Sequence, residues 1–291
     1  MEGSMEWYRG LFQKIINDGL KNKVNQRDCL DLLLNMREDF SFSEDKEVRD
    51  YAMKISKYAH EMAGYMAAQT GSSEFDELYW KYLLLEAPEV LDSYCLYIEK
   101  DRKPKERFYQ PRRKTLIKVV NLLQRLENDE LDEAFIHMPA RVGKTQIITL
   151  GTSWHCCRNT ELSNLYCSYK EDAGGAFLDG VKEIWTDPIY LHNNVFPLAK
   201  IVDTDAKANT IDLERKKKYK SLSGKGLTSG LNGLYDATGW LIADDILEGI
   251  QDVLSPDVLK RKQTIFDNNL MKRKSARLFT MAQSGVFMIF T

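Results

Sequence analysis

Apolar residues recur at helical spacing through the first hundred positions of this chain. Trp7, Leu11, Phe12, Ile15, Ile16 and Leu20 share one stripe, the i, i+4, i+8 rhythm of an amphipathic helix. A second helix is expected over 26–39, with Asn25 as its candidate cap. Ser41-Phe42-Ser43-Glu44 has capping-box form. Val48, Tyr51, Ala52, Ile55, Tyr58, Ala59 and Met62 then make one apolar face before Gly71 stops the helix. Shorter helices are expected over 74–86 and 88–98. Their aromatics (Tyr79, Trp80, Tyr82, Tyr94, Tyr97) read as packing, and no catalytic signature interrupts them. Residues 1–103 are therefore expected to form an all-α region, with Met1-Glu2-Gly3-Ser4 read as residues added ahead of a start at Met5.

The rhythm changes after a charged linker, Lys100 to Tyr109, that carries Pro104. Pro111 opens a helix at its first turn, and Leu116, Val119, Val120, Leu123 and Leu126 carry it on. From Glu133 short apolar runs alternate with helical stretches. Helices are expected over 144–157, 171–186 and 255–272. Strands are expected over 134–138, 163–168, 200–203, 210–213, 239–243 and 285–291. Such alternation predicts an α/β domain over 104–291, a mostly parallel sheet flanked by helices.

Chemistry concentrates where the first of these strands meets its helix. Ala134-Phe135-Ile136-His137-Met138 runs into Pro139-Ala140-Arg141-Val142-Gly143-Lys144-Thr145-Gln146, and the apolar helix 147–154 follows. Strand, loop and helix is the context in which Gly-Lys-Thr cradles phosphate. A helix start leaves backbone N–H groups unpaired and carries roughly half a positive charge, which suits a triphosphate. Gly143 lets the backbone approach, Lys144 reaches the outer phosphates, and the Thr145 hydroxyl suits a magnesium ion. Gly-Lys-Thr also occurs as a solvated turn. The usual pattern has a further glycine at the position of Met138.

About 100 residues later Gly239-Trp240-Leu241-Ile242-Ala243-Asp244-Asp245 reads as a buried strand ending on two acids. Such a strand delivers its acids to the carboxyl edge of a parallel sheet, where ligands bind in open α/β folds. Asp244 suits the metal, and Asp245 suits orienting and polarising an attacking water. Taken alone, a strand ending in an Asp-Asp turn is common.

Met138-Pro139-Ala140-Arg141-Val142-Gly143-Lys144-Thr145 resembles the variant Walker A loop of the large terminase subunits of tailed bacteriophages, ATPases that drive viral DNA into an empty capsid. That family often reads Pro-x-Arg-x-Gly-Lys-Ser or -Thr here, and the acidic strand resembles its Walker B motif. Ser221 to Gly230, running on to Asn232-Gly233, looks like the family's glycine-rich loop. Leu227, Ser229 and Gly230 stand where that loop tends to have Ile, Gly and Arg. Asn164 to Tyr169, with the helix through Trp185, resembles the family's second strand and helix. Tyr109 with Gln110 is similar to an aromatic and a glutamine that contact adenine, and a Gln amide both donates and accepts. Gly285 to Thr291 resembles the coupling strand, whose terminal hydroxyl, here Thr291, senses the γ-phosphate.

The resemblance covers residues 104 to 291. It implies a P-loop NTPase of the ASCE/RecA-like class, binding ATP and Mg2+ through Gln110, Pro139, Ala140, Arg141, Val142, Gly143, Lys144, Thr145, Gln146 and Thr291. Thr145 and Asp244 would serve the metal. Asp245, Arg141 and Lys144 would be catalytic, with Arg141 spreading charge at the γ-phosphate and a second arginine arriving from a neighbouring subunit. It further implies double-stranded DNA as the translocated substrate, and portal protein and the small terminase subunit as partners. The assembled form would be a homo-oligomeric ring, docked at the procapsid portal in the bacterial cytoplasm. Further core strands and a ribonuclease-H-like nuclease would lie beyond Thr291, so the chain is expected to be an N-terminal ATPase part. The rival readings are another P-loop nucleic-acid motor of helicase type and a non-catalytic P-loop assembly module.

Composition narrows the picture less. Hydrophobic residues make up 43% and charged residues 29%, as in an ordinary globular chain, and no apolar run approaches a membrane span. Five cysteines (Cys29, Cys95, Cys156, Cys157, Cys167) lack metal spacing, and an odd number argues against a disulfide framework. The four histidines are scattered. A net charge of −2 means that any DNA contact must come from local clusters. Three candidates exist: Arg102, Lys103, Lys105, Arg107 and Arg112-Arg113-Lys114; Arg215 to Lys218 with Lys220 and Lys225; and Lys272-Arg273-Lys274 with Arg277. Charge runs are also ordinary solvated faces.

Overall fold

In the computed structural model, which describes residues 3–139, 141–228, 237–247, 249, 252, 254–270 and 277–283, the chain divides into two units, Met1–Lys100 and Asp101–Thr291. The first is helical: α1 (Met5–Asp18), α2 (Lys23–Asp39), α3 (Lys46–Thr70), α4 (Ser73–Glu86) and α5 (Leu91–Tyr97). Two caps differ from the sequence reading. Asn22, not Asn25, caps α2 by accepting from the Val24 N–H, while the Asn25 amide donates to Gly19 O. Ser41 to Glu44 forms a turn, and α3 starts behind it, capped by Asp45 accepting from the Val48 N–H. Each cap side chain satisfies one of the donors left over at a helix start. Phe12, Leu33, Met36, Ala52, Ala59 and Tyr82 are at the centre of the core. Buried Glu86 accepts from Ser56 Oγ at 2.6 Å and Ser93 Oγ at 2.5 Å, and pairs with His60 Nδ1 at 2.8 Å. One carboxylate thus ties α3, α4 and α5 together.

The second unit is α/β. Its strands are β1 (Glu133–Met138), β2 (Asn164–Ser168), β3 (Ile201–Asp205), β4 (Thr210–Leu213), β5 (Leu222–Gly226), β6 (Trp240–Asp244) and β7 (Arg277–Gln283). Among the described residues they form one mixed sheet in the order β1-β7-β6-β2-β5-β4-β3. The first five are parallel, and β4 and β3 extend the sheet antiparallel. Every residue of β2, β5 and β6 is buried, the pattern of parallel strands covered on both faces. Helices α6 (Tyr109–Glu127), α7 (Lys144–Arg158) and α8 (Glu171–Thr186) flank it, with the short α9 (His192–Val195) and α10 (Pro256–Ile265). From Ile147 to Cys157 every residue of α7 is buried, and the helix packs against both α6 and α8.

Two strands differ from expectation. Leu222 to Gly226, read as part of a glycine-rich loop, is strand β5 between β2 and β4. Its glycine serves close packing: a Cβ on Gly224 would meet Gly174 O of α8 at 2.6 Å, and one on Gly174 would meet the Gly224 carbonyl carbon at 2.8 Å. Backbone touches backbone there, so α8 lies unusually low on the sheet. The remainder of that loop, 229–236, lies outside the described residues. The chain also inserts β7 at 277–283, between β1 and β6, ahead of the expected strand over 285–291, which lies outside the described residues.

The ends of the strands opposite the Gly-Lys-Thr loop are held by a buried polar knot. Glu127 of α6 pairs with His155 Nδ1 at 2.6 Å and accepts from Arg158 at 2.9 Å and from Asn159 Nδ2 at 2.5 Å. His155 Nε2 faces Asn164 Oδ1 at 3.0 Å, which also accepts from the Trp240 N–H at 2.7 Å. The imidazole stacks on the Trp240 ring, centroids 4.3 Å apart. Helices α6 and α7 and strands β2 and β6 therefore meet at one set of hydrogen bonds.

Candidate functional site

The site is assembled at the carboxyl edge of the parallel strands. β1 ends at Met138, Pro139 follows exposed, and α7 begins at Lys144. Two residues of the connection hold left-handed backbone, Arg141 at φ 65° and Gly143 at φ 97°. Gly143 needs its missing side chain twice over, for that φ and because a Cβ would meet Phe108 Cε2 at 2.4 Å. The Phe108 ring is seated on the loop, and the Arg112 guanidinium lies over the ring 5.1 Å from its centroid. Arg141 is exposed, and Val142 and Gln146 are half-buried. An arginine in left-handed backbone is a strained choice of the kind that clusters at ligand sites.

Strand β6 brings in the acids. Lys144 Nζ lies 2.9 Å from Asp244 Oδ1 and 2.5 Å from Asp245 Oδ1. The two motifs, separated by a hundred residues of chain, thus meet through one ammonium. The carboxylates are not equivalent. Asp244 has 3% of its side chain exposed and Asp245 has 33%, so Asp245 is the more open of the two. Asp245 also turns the chain, with φ 46° and its carbonyl accepting from the Tyr169 N–H at 3.2 Å. Asp244 Oδ2 accepts from the buried Tyr166 hydroxyl of β2 at 3.1 Å. Burial pushes the Asp244 carboxyl above its ordinary range, with Asp245 adding to that rise, while Lys144 and the Tyr166 hydrogen bond oppose it.

Asp244 Oδ1 is buried and has no aligned hydrogen bond among the described residues, although the Lys144 ammonium is close by. That oxygen already faces one cation, the Lys144 ammonium, and so suits a metal ion that takes its place. Among the described residues no three His, Cys, Asp or Glu side chains gather into a metal cage. Magnesium does not ask for one, since it commonly takes one or two protein carboxylates and completes its shell with substrate phosphates and water. Asp244, with Thr145 on the first turn of α7, fits that pattern. Thr145 itself is exposed.

Tyr109 and Gln110, also expected at the site, differ in exposure. Tyr109, matched to an adenine-contacting aromatic, is wholly buried, so its ring has no face to offer a base. Gln110 is exposed, and its Oε1 accepts from Arg107 at 2.6 Å. Ala140 and Thr291 lie outside the described residues. Two side chains at the site drew no notice in the sequence, Phe108 and Tyr166. Phe108 immediately precedes the pair that did, and Tyr166 sits in an apolar run that reads as core.

The basic clusters are only partly free of internal partners. Arg215 has 1% of its side chain exposed and donates to the carbonyls of Thr160, Leu162 and Tyr219. It staples the loop before β2. Lys225 is buried against Glu171 at 2.9 Å, and Lys220 pairs with Asp203 at 2.7 Å. Lys216, Lys217 and Lys218 are exposed, as are Lys103, Lys105, Arg112, Arg113 and Lys114. Of the third cluster, 272–274 lie outside the described residues.

No described helix is long and apolar enough to cross a membrane. No protein-family model matches this chain, and no curated protein matches it either.

Proposed function

We propose that this chain is the ATPase part of a DNA-packaging motor of the tailed-phage terminase type, a P-loop NTPase that couples ATP hydrolysis to movement of double-stranded DNA. One observation carries the reading. Lys144, at the first position of α7, meets Asp244 and Asp245 at 2.9 and 2.5 Å, a lysine and two strand-end acids converging at one helix N-terminus. The Pro-Ala-Arg-Val-Gly-Lys-Thr sequence of the loop directs the choice of family.

In this reading the unpaired N–H groups at the start of α7 and the Lys144 ammonium hold the phosphates. The lysine then leaves the carboxylates it pairs with for the γ-phosphate. Asp244 and Thr145 hold magnesium, which when bound neutralises charge on the phosphate oxygens. Asp245, one-third exposed, accepts a hydrogen bond from the attacking water and orients it. Arg141, exposed within the loop, offers a planar fork to the developing charge, a role lysine would fill poorly. Double-stranded DNA, portal protein and small terminase subunit are the proposed partners, with a ring of like subunits at a procapsid portal in the host cytoplasm as the working form.

Equilibrium binding of ATP with Mg2+, followed by steady-state hydrolysis, tests this directly. Lys144→Ala is expected to lower turnover at least about a hundredfold, the scale of losing one fixed electrostatic group in a preorganised site. Wild-type turnover in the variant would remove the P-loop assignment. Absence of nucleotide binding by the wild-type protein would favour a non-catalytic assembly module.

A further inference from the structure

Tyr166 lies mid-strand in β2, in register with Ile242 of β6, and is 3% exposed. Its hydroxyl donates to Asp244 Oδ2 at 3.1 Å. Its ring lies flat on Phe177 of α8, centroids 3.9 Å apart and planes 7° from parallel. The phenol is therefore clamped from the side and has an anionic acceptor in front of it. A buried hydroxyl without a partner is costly, so any rotation of the Asp244 carboxylate that broke this bond would be opposed. With Oδ2 held, Oδ1 is turned toward the Lys144 ammonium, 2.9 Å away, and is the oxygen that faces positive charge at the head of α7.

We infer that Tyr166 is the positioning residue of the cation site: its hydroxyl locks one oxygen of Asp244 so that the other is presented to the divalent cation of a bound Mg-nucleotide, with Phe177 holding the ring. The inference rests on the nucleotide-binding reading above. Partners of this kind, one bond behind a ligand, commonly change metal affinity by about ten- to a hundredfold. Tyr166 is buried behind the carboxylate, so its effect on a bound cation would pass through Asp244.

Tyr166→Phe removes the hydroxyl and keeps the ring on Phe177. The probe is a non-hydrolysable ATP analogue, with affinity measured first in excess EDTA and then across a Mg2+ titration. Affinity in EDTA is expected to match wild type, and the half-saturating Mg2+ concentration is expected to rise roughly tenfold. In an Asp244→Asn background the same change should no longer shift the Mg2+ midpoint, because the oxygen being positioned is no longer a charged ligand. An unshifted midpoint in Tyr166→Phe, or an equal loss of affinity with and without Mg2+, would overturn the inference while leaving the nucleotide site intact. If wild-type protein binds the analogue in neither condition, the nucleotide reading itself falls, and this inference with it.

Discussion

Asp244 and Asp245 are adjacent in sequence and separate in chemistry, because one points into the sheet edge and the other toward solvent. Asp245→Asn is expected to bind Mg-ATP like wild type and lose hydrolysis, whereas Asp244→Asn should weaken only the metal-dependent part of binding. Equal effects on affinity from both would mean the roles are wrongly divided. Gly143 supports a different test. Its φ of 97° and the Phe108 ring against it make Gly143→Ala doubly unfavourable, by about 1–3 kcal/mol for the backbone alone. Thermal unfolding of the single and double variants separates the two parts: Phe108→Ala should recover the steric component and leave the backbone component. If the losses simply add, the ring is not seated on Gly143. Phe108 could not be chosen over Tyr109 from sequence, because which of two adjacent aromatics faces a loop depends on how the helix they begin is docked. Tyr166 was hidden for a related reason: Leu165-Tyr166-Cys167 alternates nothing, so every position reads as interior.

At the scale of elements, legibility followed contrast. β1, α7, β2, α8 and β6 are purely apolar or cleanly periodic, and their sequence bounds lie within about two residues of those observed. The Gly-Lys-Thr loop and the Asp-Asp strand end were readable for the same reason, since each breaks an apolar run with charge. β5 was not readable, because Ser-Gly-Lys-Gly has loop composition and becomes a strand only where α8 comes close enough to require Gly224. β7, Arg-Leu-Phe-Thr-Met-Ala-Gln, lost to a purer apolar run farther on. The Glu127 knot was invisible as well, since its members come from α6, α7, β2 and β6. It carries the clearest pH prediction. Burial opposes the Glu127 charge, but the combined pull of His155 and Arg158 wins and lowers its pKa from 4.5 to about 2. A carboxyl depressed on folding contributes stability that is full above the ordinary value and lost as pH falls through the folded one. The second unit should therefore lose stability between pH 4.5 and about 2. Glu127→Gln should cost about 3–5 kcal/mol at neutral pH, as when one partner of a buried pair is removed, and should flatten that acid dependence. Denaturant midpoints across this pH range measure both, and an unchanged acid slope in the variant would show that Glu127 is not the group that matters.

For the molecule as a whole, charge is the deciding quantity. The net charge is −2, and two basic residues of the candidate clusters are spent internally, Arg215 on carbonyls and Lys225 on Glu171; buried Lys262 is likewise paired with Asp252 at 2.6 Å. Of the three candidate clusters, the described residues that stay exposed are a short basic stretch around the start of α6 and the Lys216 to Lys218 run, where Lys217 pairs with Glu161 at 3.0 Å. DNA affinity depends steeply on how many phosphates are neutralised at once, so a single copy of this chain is expected to bind DNA weakly and in a strongly salt-dependent way. Several copies on one duplex would change that without any new contact, since linked weak sites raise avidity by about a hundredfold or more. In the proposed ring the same neighbours would offer an arginine to the γ-phosphate in trans, a group worth on the order of a thousandfold in NTPases that use one. Turnover per subunit should accordingly rise with protein concentration at fixed ATP, rise further with double-stranded DNA present, and fall as salt disperses the complex. A concentration-independent, fast rate together with tight DNA binding by the monomer would mean that the site is complete in one chain, and the assembly-dependent mechanism would have to be abandoned.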